Sequence, residues 1–157
     1  MATDCGCPEL DPKDWDLKRH DWQEQAFYVT KHRQVFHMPL GIERAIATGM
    51  DAVKKKGYRL AEPFLMLDAE TGLLSAKMML ALGEVPIGDP EVEVIRNATL
   101  YSKYFRGEFK DLGQAAQQLA EYVRSQQQTP KQLYSWYATC PRCWETRGKE
   151  TVLFAQI

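Results

Sequence analysis

The chain has 157 residues, 45% of them hydrophobic and 26% charged, with a formal net charge of −1. That length makes one domain or two small halves and can bury a core without disulfides. Nothing in the charge balance invites a nucleic-acid backbone, which demands a basic face, and no apolar run approaches the roughly 18 residues of a membrane span.

Residues 1–24 read as an irregular lead-in. The stretch "CGCPELDPKDWDLKRHDW" has two prolines, many charges and no sustained period, though Leu10, Trp15, Leu17 and Trp22 offer anchors onto a domain. The opening "MATDCGCPEL" is acidic without an apolar stretch, so no secretory signal is legible. A cytoplasmic location with reduced cysteines is expected. "QAFYVTKHRQVFHM" (25–38) is rich in β-branched and aromatic residues and predicts a long strand. Residues 39–57 place Ile42, Ile46, Met50 and Val53 at helical spacing, with Pro39 at the start and Gly57 at the end. Lys54, Lys55 and Lys56 close that helix, where cations complement its dipole. Two apolar segments, 63–68 and 73–82, flank "AETG" as a hairpin turn.

The stretch "GEVPIGDPE" (83–91) reads as a linker, after which the pattern repeats. Residues 92–107 predict a strand. Residues 108–128 predict a helix with Phe109, Leu112, Ala116, Leu119, Ala120 and Val123 on one face. Segments 132–139 and 151–157 predict two more strands. Each half is strand, helix, strand, strand, which suggests a single domain over 25–157 built from repeats at 25–84 and 91–157. Strands with helices on one face belong to the α+β class, and a seam between similar halves is a natural place for a pocket.

The strand "LYSWYAT" alternates Tyr134, Trp136 and Ala138 with Leu133, Ser135, Tyr137 and Thr139. One face packs on the helices and the other can line a cleft, where aromatics suit a flat ligand. Each aromatic has a core reading beside the binding one. Tyr101, Tyr104 and Phe105 add to the aromatic density of this half. Met66, Met78 and Met79 fill either a core or an adaptable pocket.

Four cysteines stand in two close pairs, Cys5 with Cys7 and Cys140 with Cys143. A tetrahedral zinc with four thiolates would staple the lead-in to the C-terminal region. Trp144 follows the last cysteine where zinc knuckles have glycine, so plain reduced cysteines stay open. A redox pair would need a helix after Cys140, and no helical period is legible there.

Four stretches carry a resemblance to a known family: "CGCPELDPKDWD" (5–16), "FHMPLG" (36–41), "YFRGEFKDL" (104–112) and "YSWYATCPRCWETRGKETVLFAQI" (134–157). In order, and over nearly the whole chain, they resemble the GyrI-like small-molecule-binding proteins, in particular a stand-alone subgroup described as hydrolases. The resemblance implies duplicated β-α-β-β repeats of the SHS2 type, with pseudo-twofold symmetry and a concave antiparallel sheet. It implies a pocket for bulky, flat, apolar organic molecules. For cyclopropanoid cyclopropyl hydrolases in the subgroup it also implies opening of the strained ring of DNA-alkylating compounds through an aromatic cage. The rivals are a sequestering module without catalysis and an effector-sensing module, the latter without a legible DNA-binding segment.

Such chemistry needs a donor at the carbonyl, a π face for developing positive charge and a base for water. Tyr137 is the expected donor. His37, at its H-M-P-x-G position, and Glu108 are the expected acid–base groups, with Glu145 a further carboxylate. Trp136, Tyr134, Tyr104, Tyr101, Met66 and Trp144 are the expected ligand-binding residues. A backbone-bonded strand-end histidine is the plainer reading of His37. No cofactor is required, zinc at Cys5, Cys7, Cys140 and Cys143 would be structural, and the expected partner is a small apolar molecule rather than nucleic acid or membrane.

Overall fold

Strand alternation and two apolar helix faces decide where each segment lies. The computed structural model describes residues 7–35, 38–62 and 64–157. Chain order among these is α1 (Pro12–Trp15), β1 (Lys18–Val35), β2 (Met38–Leu40), α2 (Ile42–Lys56), β3 (Met66–Gly72), β4 (Ser75–Leu82), β5 (Val92–Arg106), a 3-10 turn (Phe109–Asp111), α3 (Leu112–Ser125), β6 (Gln132–Tyr137), α4 (Pro141–Arg147) and β7 (Glu150–Gln156). The class is α+β with antiparallel pairing, as the sequence predicts. The chain divides into two compact units, residues 22–98 and residues 1–21 with 99–157.

In the unit of residues 22–98 the strands lie in the order β2–β1–β4–β3. Helix α2 buries Ala45, Gly49 and Val53. Its core includes Ala26, Tyr28, Met78, Leu80 and Leu82, with Ile42, Ile46 and Met66 packed around it. The expected stripe included Met50, which is instead 38% exposed. Gly49 takes the contact: a Cβ there would stand 2.8 Å from Leu80 Cδ1, so the helix lies close on the strands. Pro39 does not start this helix. It pairs opposite Gln34 in the short strand β2, a place where a missing N–H is tolerated. The predicted "AETG" turn is also displaced. Ala69 and Glu70 continue the β3–β4 ladder, and the reversal falls on the exposed Leu73 and Leu74.

In the other unit the order is β6–β7–β5. Helix α3 buries Ala115, Leu119 and Val123 against Tyr101, Leu153 and Ala155. The lead-in is more ordered than its composition predicts. Asp11 caps α1 by accepting from the Lys13 N–H at 3.0 Å, and β1 already begins at Lys18. The segment after the second cysteine pair is also not plain loop. Pro141 sits in the first turn of α4 and Gly148, at φ 79°, follows its end, the usual proline-first, glycine-last asymmetry of a helix. Among the described residues, no helix is long and apolar enough to cross a membrane.

Candidate functional site

Residues directly opposite in an antiparallel ladder point to the same face. Across β6, β7 and β5 that rule gives two rows: Tyr134, Phe154 and Ser102, then Trp136, Val152 and Tyr104. These rows alternate with Leu153, Ala155 and Tyr101, which pack on α3. Three expected ligand residues, Tyr134, Trp136 and Tyr104, therefore share the face away from the helix.

That face is covered by the lead-in. Trp15 packs edge-on against Trp136 at 5.3 Å and Phe154 at 6.0 Å, and stacks on His20 at 5.3 Å. Ser102 Oγ donates to the Trp15 carbonyl at 2.6 Å, so His20 Nε2, 2.7 Å away, is the donor to Ser102. Burial holds the His20 imidazole below its usual pKa, opposed by the charge of Asp21. Trp136 and Tyr134 are only 4% and 6% exposed. At one end of the rows lies a buried carboxylate, Glu150. It accepts from the Tyr104 hydroxyl at 2.6 Å and from Arg147 Nε at 3.1 Å. Burial, and then the Glu150 carboxylate, push the Tyr104 phenol up to about 12.

A second aromatic cluster forms where the 3-10 turn meets the ends of β6 and α4. Phe109 lies edge-on to Tyr137 at 5.6 Å and to Trp144 at 5.7 Å. All three are half-buried, so ring surface faces outward. Lys149 Nζ stands 5.1 Å from the Phe109 ring centre and 4.7 Å from that of Trp144. It also bonds Glu108 Oε2 at 2.8 Å. The hydrogen bond from Lys149, and then its charge, hold the Glu108 carboxyl below its usual range. The cluster thus offers a π surface, a phenol, an ammonium and an ionised carboxylate at one rim. It brings together Tyr137, Glu108 and Trp144 from the expected set.

The remaining expected residues lie elsewhere. Tyr101 is in the α3 core, edge-on to Tyr122 at 5.8 Å, and Met66 packs on the α2 core. Glu145 is exposed on α4. His37 and Cys5 lie outside the described residues. Cys7, Cys140 and Cys143 converge, their Sγ atoms all within 4.8 Å of one another. Sequence reasoning passed over Phe109, counted as a helix-face residue, and Lys149, in a segment with no period. It also passed over Glu150 and Arg147, whose pairing at i, i+3 was the available signal.

The unit of residues 22–98 carries its own groove, of about 950 Å³, lined by Tyr28, His32, Arg33, Leu40, Arg44 and Glu91 among others. Charged and apolar side chains line it together, and the His32 ring faces an oxygen at each nitrogen: Asp68 Oδ1 at 2.6 Å and the Arg33 carbonyl at 3.0 Å. None of the described residues expected to bind ligand lines it.

The family model described as bacterial hydrolase matches residues 1–157. No curated protein matches the chain in sequence. Among solved structures, the EcmrR C-terminal domain is similar with a TM-score of 0.71 and 12% identity, covering 90% of this chain and 96% of that one. A hydrolase encoded by lin2189 from Listeria innocua gives a TM-score of 0.53 at 12% identity, over 89% of this chain and 90% of that one. SAV2435 bound to tetraphenylphosphonium gives 0.50 at 12% identity, over 90% and 92%. At such identities the likeness is one of fold, and the fold is GyrI-like.

Proposed function

Because the chain belongs to the bacterial hydrolase family, we propose that it binds bulky, flat, apolar molecules and hydrolyses the cyclopropane ring of DNA-alkylating cyclopropanoids. The observation that carries this reading is the half-open cluster of Phe109, Tyr137 and Trp144 with Lys149 and Glu108 at its rim. A site of this kind gives a flat molecule contact area, with a few polar groups to orient it. The neighbour SAV2435, bound to tetraphenylphosphonium, supports a bulky aromatic guest.

The groups suit the reaction. In a cyclopropane conjugated to a dienone, the oxygen of water bonds to the ring carbon while a cyclopropane carbon–carbon bond breaks. The electron pair moves into the dienone, which becomes a phenolate. Tyr137 and the Lys149 ammonium stabilise and protonate that oxygen. Glu108, held ionised by Lys149, orients the attacking water and takes its proton. The aromatic faces steady positive charge on the carbon as the ring opens.

The test is incubation of the full chain with a spirocyclopropyl dienone, following the ring-opened alcohol and tryptophan fluorescence together. Wild type is expected to quench and turn over. Tyr137→Phe is expected to retain quenching and to lose about 10²-fold or more in rate, the usual loss of one oxyanion donor. Quenching without turnover in wild type would establish the sequestering reading instead. Equal turnover in Tyr137→Phe together with loss in Tyr104→Phe would move the chemistry to the face that carries Glu150.

A further inference from the structure

The three cysteines form a cluster that the proposed reaction does not use. Cys7 comes from the lead-in, Cys140 caps α4 and Cys143 lies in its first turn. The turn brings the last two together, with the Cys143 N–H donating to the Cys140 carbonyl at 2.9 Å. Their Sγ atoms are 3.9 Å apart. Zinc–thiolate bonds of about 2.3 Å in a tetrahedron hold neighbouring sulfurs about 3.8 Å apart, so this pair already has the spacing of two zinc ligands. Cys7 Sγ lies within 4.8 Å of both.

Two further contacts look like the surroundings of a metal thiolate. The Cys140 backbone N–H donates to Cys7 Sγ at 3.2 Å, the kind of outer contact that orients a ligand and tunes it. Arg147, from the last turn of α4, donates to the carbonyl of Pro8, the residue after Cys7. Cys143 is fully buried, which keeps solvent from one side of the cluster.

A redox pair needs two sulfurs, with the attacking one exposed at a helix start. The helix is present, but a third sulfur converges on the pair from 133 positions away in sequence, which a C-x-x-C dithiol does not require and a thiolate metal site does. We infer that Cys7, Cys140 and Cys143 are ligands of a structural zinc ion that fastens the lead-in to α4. The site is independent of the proposed reaction. Zinc takes four donors, and these are the three that the described residues supply.

The experiment uses the full chain, expressed with zinc and purified without chelator. Metal analysis is expected to give one zinc per chain, and Cys143→Ala and Cys7→Ser to lose it. Cobalt substituted into wild type is expected to show a thiolate-to-metal charge-transfer band and the visible bands of tetrahedral geometry. Buried Cys143 is a risk to folding, so wild type stripped of metal supplies the control. Returning zinc should raise its melting temperature and leave that of Cys7→Ser unchanged. A zinc-loaded wild type that carries no metal, or melts identically with and without it, overturns the inference. So does a cobalt spectrum without thiolate bands, or a Cys140–Cys143 disulfide that forms in the presence of excess zinc.

Discussion

Lys149 serves two kinds of partner at once, two aromatic faces and one carboxylate. Its effect on Glu108 makes a pH prediction with a definite sign. Glu108 is held below the usual carboxylate range by the hydrogen bond and charge of Lys149. A base must be ionised, so turnover is present above the Glu108 pKa and is lost as pH falls through it. With Lys149 in place that acid limb lies below the ordinary glutamate range. Lys149→Met removes the cause, and the limb in a rate–pH profile is expected to move to higher pH. A limb that stays in place would remove Glu108 from the base role. Glu150 differs in kind: it is buried and bonded by both Tyr104 and Arg147. Such an arrangement first of all satisfies a carboxylate that would otherwise be costly to bury.

At the scale of elements, β6 sends alternate residues to two different duties. Trp136 is sealed under Trp15, whereas Tyr137 belongs to the half-open cluster. Trp136→Ala is expected to cost roughly 3–5 kcal/mol, as for other buried tryptophans, measured by denaturant unfolding. Tyr137→Ala, which removes a half-buried side chain, should cost clearly less. Equal costs would mean that both side chains are core. The alternation itself was legible in "LYSWYAT", but which face meets solvent was not. That depends on Trp15, more than a hundred positions away, and no local period announces such a contact. Helices α2 and α3 were legible because their apolar spacing is sustained, although the stripe on α2 is rotated toward Gly49 by its close approach to Leu80. The small helix α4 was missed for want of a period, though Pro141 and Gly148 bracket it. The cysteine pairs were legible as pairs, and the convergence of Cys7 with the second pair needed the fold.

For the whole molecule, one compact unit is a continuous stretch and the other is assembled from both ends of the chain. The discontinuous unit closes over long sequence separations: Ser102 to the Trp15 carbonyl, and Cys140 to Cys7. Loop closure must precede such contacts, so they form late. Pulse-labelled hydrogen exchange during refolding is expected to protect the amides of β3 and β4 before those of β6 and β7. The reverse order would overturn this ranking. The same connectivity bears on synthesis. The lead-in is synthesised well before α4 and β7, on which Cys7 and Trp15 settle. Until those segments emerge Trp15 and Cys7 have no surface to meet, and a nascent chain carries an uncovered tryptophan and thiols through that interval. Docking of the lead-in therefore waits on the synthesis of segments more than a hundred positions downstream.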